Sequence, residues 1–320
     1  MTFNLNRLLG AALLGATLLS ACGGGEQAVK FAPTRVLAFG DETSFIEDVA
    51  GTGNGRKYSV NGLAAGGVAI DCKVNPIWVQ VVASGFGLVF PQCNHATTPV
   101  VAPASRIYAV PGARVAEVAG QIDRHIASGG GFSATDLATV LAGANDVLAL
   151  YAQYPGVPEA DLVAQAEAAG TALAEQVNRI ADAGGKVVVS TTPDLGISPY
   201  GLAQETLAPG RAALLTRLSA RFNARLRVTV VNDGRRIGLM FTDEALQSAY
   251  KFASATGFSN VVAPVCNPVA APVLTLCTTA TLVSGGNATT WLWADATRLS
   301  AGGQTLLGNL GLSRAVHNPF

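Results

Sequence analysis

Three acidic residues and one arginine stand at positions where the chain could carry chemistry. Asp41 and Glu42 end an apolar run near the N-terminus, and Asp295 and Arg298 lie three residues apart near the other end. Carboxylates that share a site can divide acid and base roles, as they do in glycoside cleavage. Arg298 cannot serve as a base, because a guanidinium stays protonated in proteins. Catalysis by the three carboxylates is therefore one chemistry that the sequence leaves open.

Polar residues also follow two other apolar runs. Gly112 comes after residues 107–110, and Asn145 and Asp146 come after residues 136–141. An apolar run that stops at glycine and a polar residue is typical of a buried strand that opens onto a turn. Ligands of open α/β sheets bind at that end of the strands. Taken alone, however, Asn-Asp after a strand is ordinary turn and helix-cap chemistry.

Apolar runs alternate with segments of helical period through most of the chain. Strands are predicted at 36–39, 107–110, 136–141, 186–190 and 237–241, and helices at 78–87, 115–128, 160–183 and 211–228, with a closing helix before 308. Residues 42–49 suit either a helix or a loop. Such alternation predicts βαβ units, a parallel sheet and helices on both of its faces. The predicted fold is one α/β domain, a three-layer α/β/α flavodoxin-like arrangement with a mainly parallel sheet.

Composition narrows the class of protein. The chain has 320 residues, 49% of them hydrophobic and 13% charged, with a formal net charge of zero. That length allows one large α/β domain or two small ones, with an ample core. A neutral chain gives no reason to expect a nucleic-acid partner, because such binding depends on a basic surface.

The first 22 residues are predicted to be a targeting segment. Arg7 precedes an apolar run, residues 8–21, that is too short to span a bilayer comfortably and suits a signal peptide. The sequence Leu-Ser-Ala-Cys at 19–22 resembles the bacterial lipobox, which implies a lipid on Cys22. Residues 23–34 would then be a flexible tether and 35–320 the domain. Gly23 favours the outer membrane, and an ordinary signal peptide is the alternative.

Four cysteines follow Cys22, and in an exported protein they predict two disulfides. They are Cys72, Cys93, Cys266 and Cys277. Three pairings are possible, and the two local pairs need the least loop closure; each would stabilise the fold by roughly 3 kcal/mol. The chain has three histidines, His95, His125 and His317, and no Cys-x-x-Cys motif. This spacing does not indicate a metal site, and no cofactor is expected.

Taken in order, the candidate positions resemble the sequence blocks of the SGNH, or GDSL, hydrolases. Gly40-Asp41 matches the first block, Gly112 the second, Gly143-x-Asn145-Asp146 the third, and Asp295-x-x-Arg298 stands where the last block reads Asp-x-x-His. The resemblance extends over roughly residues 35 to 312. It implies an α/β/α fold and ester hydrolysis, in which serine attacks, histidine is the base and aspartate orients the histidine.

The sequence departs from the family at both reacting positions. Glu42 takes the place of the serine, and Arg298 takes the place of the histidine. The resemblance implies that the oxyanion hole remains in the Glu42 N–H, Gly112 and Asn145, that Asp295 is the triad acid, and that Asp41 braces the turn. It also places Glu42 and Arg298 across the site, where they can form a bidentate ion pair that fills the hole.

These inferences lead to two functional hypotheses. The first is an exported, lipid-anchored protein of the bacterial cell envelope, either a pseudoenzyme or a protein that binds an acyl-ester or glycan ligand. The second is a working esterase, lipase or deacetylase that uses a nucleophile or base elsewhere, with Ser44, His95 and His317 as candidates. A purely structural lipoprotein with a filled site is a further reading, and the sequence does not indicate an oligomeric state.

Overall fold

A sheet of five parallel strands lies at the centre of the computed structural model, which describes residues 30–95, 99–128, 130–317 and 320. The strands in this part of the chain are β1 (Arg35–Gly40), β2 (Ile46–Glu47), β3 (Arg56–Lys57), β4 (Arg106–Ile107), β5 (Asp136–Leu141), β6 (Lys186–Ser190), β7 (Ile237–Met240), β8 (Asn260–Pro264) and β9 (Trp291–Trp293). The central sheet has the order β4-β1-β5-β6-β7, while β2-β3 and β8-β9 are separate two-stranded pairs.

Strand order places a switch point beside β1. Counted along the chain, the five central strands lie in the order 2-1-3-4-5, and every neighbouring pair is parallel. This is the flavodoxin-like order. In such sheets ligands bind at the switch point between β1 and β5, where the connections leave the two strands in opposite directions. The fold therefore directs attention to the loops that follow β1 and β5.

Helices cover both faces of the sheet. They are α1 (Trp78–Gly85), α2 (Val115–Ala127), α3 (Ala144–Tyr151), α4 (Glu159–Asp182), α5 (Pro199–Leu207), α6 (Arg211–Thr229), α7 (Thr242–Lys251) and α8 (Ala301–His317). On one face, Leu37 and Phe39 of β1 pack with α2, α3, α4 and α6. On the other face, Val36 and Ala38 pack with α1, α7 and α8. The predicted three-layer α/β/α architecture is confirmed.

Some predicted boundaries were wrong. The second strand is only Arg106–Ile107; the N–H groups of Tyr108 and Val110 still donate to carbonyls of β1, and a turn follows at residues 111–112. Residues 42–49 hold one 3₁₀ turn and β2. Helices α3, α5 and α7 were not predicted; each has ten residues or fewer, which is shorter than the window of about 11 residues over which a helical period is usually recognised.

The two disulfides join the local pairs. Cys72 pairs with Cys93 and Cys266 with Cys277, with Cα atoms 5.7 and 5.9 Å apart. The pairing that needs the least loop closure is therefore present.

The predicted signal peptide and Cys22 lie outside the described residues, as does most of the predicted tether. They remain predictions. Among the described residues, none of the helices combines the length and the hydropathy of a membrane-spanning segment.

Candidate active site

Four chain segments meet at the carboxyl edge of the sheet. Glu42 follows β1, Gly112 follows β4, Asn145 is the second residue of α3 shortly after β5, and Arg298 lies between β9 and α8. Hydrogen bonds connect Glu42 to each of the other three. The structure therefore brings these four predicted residues together at one edge of the sheet.

The Glu42 carboxylate is at the centre of this arrangement. Its Oε2 accepts hydrogen bonds from the Gly112 N–H at 2.8 Å and from Nδ2 of Asn145 at 3.0 Å. Its Oε1 accepts from Nε and Nη2 of Arg298 at 2.9 and 2.7 Å. The Glu42 side chain is only 6% exposed. Glu42 and Arg298 form an ion pair, but it differs from the predicted bidentate pair because both guanidinium donors bind Oε1. The other oxygen, Oε2, lies between the two donors assigned to the oxyanion hole.

Little space remains beside this carboxylate. The cavity lined by Glu42, Thr43, Asn145, Pro193 and Arg298 has a volume of about 20 Å³. That is close to the room needed for a single water molecule and far below the several hundred Å³ of a small-molecule site. An acyl group does not fit there while Glu42 and Arg298 keep these positions.

Electrostatics favour the charged form of Glu42. Burial alone would raise the pKa of its carboxyl, but the Arg298 guanidinium, the Gly112 N–H and the Asn145 amide together lower it. Burial likewise opposes the charge of Arg298, and the neighbouring carboxylates of Asp295 and Glu42 raise its pKa overall. Each charge is therefore kept because its partner is present, which is typical of a buried, hydrogen-bonded ion pair.

Asp295 acts as a second carboxylate for Arg298. Its Oδ1 accepts from the N–H groups of Thr297 and Arg298, and its Oδ2 lies 3.3 Å from Nη1 of Arg298. The guanidinium is thus fixed between Asp295 and Glu42. This geometry leaves Asp295 where an orienting acid would stand, but its partner here is a permanent cation that cannot accept a proton.

Asp41 braces the turn after β1. Its Oδ1 accepts from the Thr43 N–H at 2.9 Å and caps the 3₁₀ turn. The residue is 1% exposed, and burial together with the nearby charge of Glu42 raises the pKa of its carboxyl to about 7. Asp41 is almost fully buried, although it contributes to the lining of the small cavity, and Glu42 is already bound by four donors. The geometry therefore does not supply the free carboxylate set that glycoside-type catalysis requires.

Asn145 and Asp146 have different partners. Nδ2 of Asn145 donates to Glu42 and, at 3.1 Å, to the Ala113 carbonyl, so the amide faces the site. The Asp146 carboxylate accepts from the Val115 N–H at 3.1 Å, at the start of α2, and burial raises the pKa of its carboxyl to about 6. Asp146 is thus a helix cap. The turn and helix-cap role that the sequence allowed for both residues therefore applies to Asp146 and not to Asn145.

Gln121 positions the strand end, and sequence reasoning missed it. Gly40 has φ +129°, and a Cβ there would lie 1.8 Å from the Leu141 carbonyl oxygen, so the position requires glycine. Gln121 accepts from the Gly40 N–H at 2.7 Å and donates to the Gly40 carbonyl at 2.8 Å. The sequence could have indicated this role only through the position of a glutamine on the apolar face of a helix. Gln121 is 0% exposed in the fold.

The alternative nucleophile and bases lie elsewhere. Ser44 is 0% exposed, and its Oγ accepts from Nε1 of Trp78. The rings of His125, His95 and His317 bond respectively to Tyr108 and Gly131, to Asp71, and to Ser313. In the described part of the chain, therefore, none of the three histidines bonds to Glu42, Asn145 or Arg298.

Comparison with known proteins agrees with this fold. The model of the family GDSL-like lipase/acylhydrolase matches residues 72–259, which include Gly112 and Asn145 but neither Glu42 nor Arg298. No protein with a curated description matches the chain.

Two solved structures illustrate the distance to characterised proteins. An acetylxylan esterase from Geobacillus stearothermophilus has 13% identity and a TM-score of 0.42, with 90% of this chain and 96% of that chain covered. The lipase Lip_vut3 from a goat rumen metagenome has 12% identity and a TM-score of 0.47, with 88% and 97% covered. Identities of 12–13% and TM-scores below 0.5 do not assign either activity to this chain. The match of the family model over more than half of the chain is decisive, and the protein belongs to the GDSL-like lipase/acylhydrolase family.

Proposed function

We propose that this family member is a pseudoenzyme in which a carboxylate of the protein itself occupies the oxyanion hole. The observation that carries the proposal is the set of contacts of Glu42, with Gly112 and Asn145 on one oxygen and Arg298 on the other. Donors that would stabilise a developing oxyanion are already satisfied by a full negative charge. A substrate carbonyl would have to displace that charge before any reaction.

The reacting groups are also unsuitable for acyl transfer by a serine esterase. Such hydrolysis needs an activated hydroxyl and a base that can accept its proton. At these two positions the chain has a buried carboxylate and a guanidinium, joined to each other at 2.7 Å. The alternative of a working hydrolase requires another nucleophile, and Ser44, the candidate nearest in sequence, is buried and bonded to Trp78.

The purified protein is therefore expected to hydrolyse p-nitrophenyl acetate no faster than its Asn145→Ala variant. Removing a working oxyanion-hole donor would lower kcat by about 10² to 10³, so equal rates mean that the hole is not used. The release of p-nitrophenol gives the rate, and circular dichroism checks that both proteins are folded. Turnover by the parent that disappears in Asn145→Ala would contradict the proposal.

Export and lipid anchoring belong to the same proposal. They are supported by the apolar run at residues 8–21 and by Leu-Ser-Ala-Cys at 19–22, which together suit a lipoprotein of the bacterial outer membrane. Acyl chains on Cys22 would hold the protein at the membrane at about 0.8 kcal/mol per buried CH₂.

A Cys22→Ser variant is expected to lose this anchor. When the full-length chain is expressed in a bacterium, the parent should sediment with membranes and enter the detergent phase, and the variant should not. Extraction with high salt separates a lipid anchor from electrostatic binding, which salt screens. Equal partitioning of parent and variant would contradict lipidation of Cys22.

An acyl-ester or glycan ligand remains a prediction. The cavity at Glu42, of about 20 Å³, is too small to admit one, but a hollow of about 320 Å³ lies next to the site, lined by Pro264, Ala271, Leu274 and Asp295 among others. Its mostly apolar lining suits an acyl chain better than a polyhydroxylated glycan.

A further inference from the structure

The Cys72–Cys93 disulfide lies next to a histidine that is held by a carboxylate. Nδ1 of His95 is 3.5 Å from Sγ of Cys72, and Nε2 of the same ring is 3.1 Å from Oδ1 of Asp71. The carbonyl of Gly53 is a second neighbour of Nδ1, at 3.3 Å. The His95 ring thus contacts the sulfur of Cys72 through one nitrogen and the carboxylate of Asp71 through the other, an arrangement in which a histidine can transfer a proton to or from a thiol.

We propose that Cys72–Cys93 is a reactive disulfide that exchanges with small dithiols, with His95 as the general acid that protonates the departing sulfur of Cys72. Asp71 is a positioning residue, because it touches only the far nitrogen of the ring. The other disulfide, Cys266–Cys277, is the natural reference within the same molecule.

An approach to the disulfide is present on the side of Cys93. Cys93 lines a hollow of about 300 Å³ together with Lys73, Gln80, Leu88 and Phe90 among others. The hollow has the volume of a small-molecule site, and Lys73 supplies a positive charge at its lining that favours a thiolate. Cys72 itself is 0% exposed, so attack is expected at Sγ of Cys93 with Cys72 as the leaving group.

Neighbouring side chains hold the backbone of Cys72 in place. Nζ of Lys57 donates to the carbonyl oxygen of Cys72 at 3.0 Å, and the Cys72 N–H donates to Oδ1 of Asn54 at 2.8 Å. Burial lowers the pKa of Lys57 to about 7, so these contacts fix the position of Cys72 beside His95 and do not supply a permanent positive charge to its sulfur.

The reaction balances without any other reactant. One thiolate of the dithiol attacks Sγ of Cys93, the S–S bond breaks, and the electron pair leaves with Sγ of Cys72, which takes the proton from Nδ1 of His95. The mixed disulfide joins Cys93 to one sulfur of the dithiol. The second thiolate of the same dithiol then attacks that sulfur and expels Cys93 as a thiolate, which is protonated by water. The dithiol is oxidised to a cyclic disulfide, and the Cys72–Cys93 pair is reduced.

Dithiothreitol and the folded, full-length protein provide the test. Samples are quenched over time by acid, free thiols are alkylated, and mass spectrometry measures the opening of each disulfide separately. In the parent, Cys72–Cys93 is expected to open before Cys266–Cys277. His95→Gln, which retains hydrogen bonding but cannot donate a proton from a cation, is expected to slow this opening about tenfold or more. Asp71→Asn should slow it less.

The direction of the effect separates catalysis from a structural role. If His95 only holds its loop against Gly53 and Asp71, the variant would loosen the loop and speed the reduction. An unchanged or faster opening of Cys72–Cys93 in His95→Gln would overturn the proposal, as would a parent in which Cys266–Cys277 opens first. The rate at Cys266–Cys277 must stay constant among the variants, which shows that the fold is intact. The result does not depend on whether the protein is a pseudoenzyme.

Discussion

Replacing Glu42 by serine and Arg298 by histidine in one chain is expected to raise hydrolysis of p-nitrophenyl acetate at least about a hundredfold above the parent. General-base activation of a hydroxyl alone contributes about 10² to 10⁴ in rate. The double variant supplies that hydroxyl and that base. The measurement is initial p-nitrophenol release by the two purified proteins at equal concentration.

The expected gain depends on parts of the site that the parent retains. Removing the Glu42 carboxylate frees the N–H of Gly112 and the amide of Asn145, which now bind its Oε2. Asp295 stands three residues before position 298, and its Oδ2 contacts only the Arg298 guanidinium among the described contacts. It can therefore accept the N–H of a new imidazole. Loss of the larger side chains also enlarges a cavity of about 20 Å³.

Single variants separate the contributions. Glu42→Ser alone keeps a guanidinium at the base position, and Arg298→His alone keeps the carboxylate in the hole, so neither should approach the double variant. Adding Asn145→Ala to the double variant should remove most of the gain. Equal activity in parent and double variant would show that Glu42 does not block the site. Inactivity of a folded double variant would mean that more than nucleophile and base has been lost.

The sequence predicted the framework of this site because parallel topology leaves little freedom. Once β1 and β5 are neighbouring parallel strands, Glu42 and Asn145 must meet at their carboxyl ends. The contact between Glu42 and Arg298, 256 residues apart, has no such local cause. It followed only from the resemblance to a family in which both positions belong to one site.

Other features could not be predicted from local pattern. Gln121 binds both the N–H and the carbonyl of Gly40, but a glutamine on an amphipathic helix gives no sign of what it faces. Helix α3 has eight residues, which is about two turns and too few to show a clear period. The relation of His95 to Cys72 depends on how two loops pack, and their sequence spacing does not specify that packing.

Arg298→Met is expected to lower the free energy of unfolding at pH 8 by about 2 to 4 kcal/mol. Removing one partner of a buried ion pair leaves the other charge uncompensated, and this typically costs 3 to 5 kcal/mol. The lower range applies because the Arg298 side chain is 33% exposed and because Glu42 keeps two N–H donors. Urea unfolding gives the free energy. Arg217→Met, which breaks an exposed pair with Glu159, is a matched control and should cost less than about 1 kcal/mol.

The dependence on pH and on a second substitution identifies the cause. In the parent, the pKa of Glu42 lies below its usual value, so its stabilising contribution is present at neutral pH and is lost as pH falls through the folded-state pKa. Without the guanidinium, burial raises the pKa of Glu42, so the cost of Arg298→Met should shrink on acidification towards pH 5. Adding Glu42→Gln to Arg298→Met should restore much of the lost free energy of unfolding, because a neutral amide oxygen can still accept from Gly112 and Asn145. A loss independent of pH and not rescued by Glu42→Gln would indicate packing of the arginine stem, and the ion pair would then not be what keeps the hole filled.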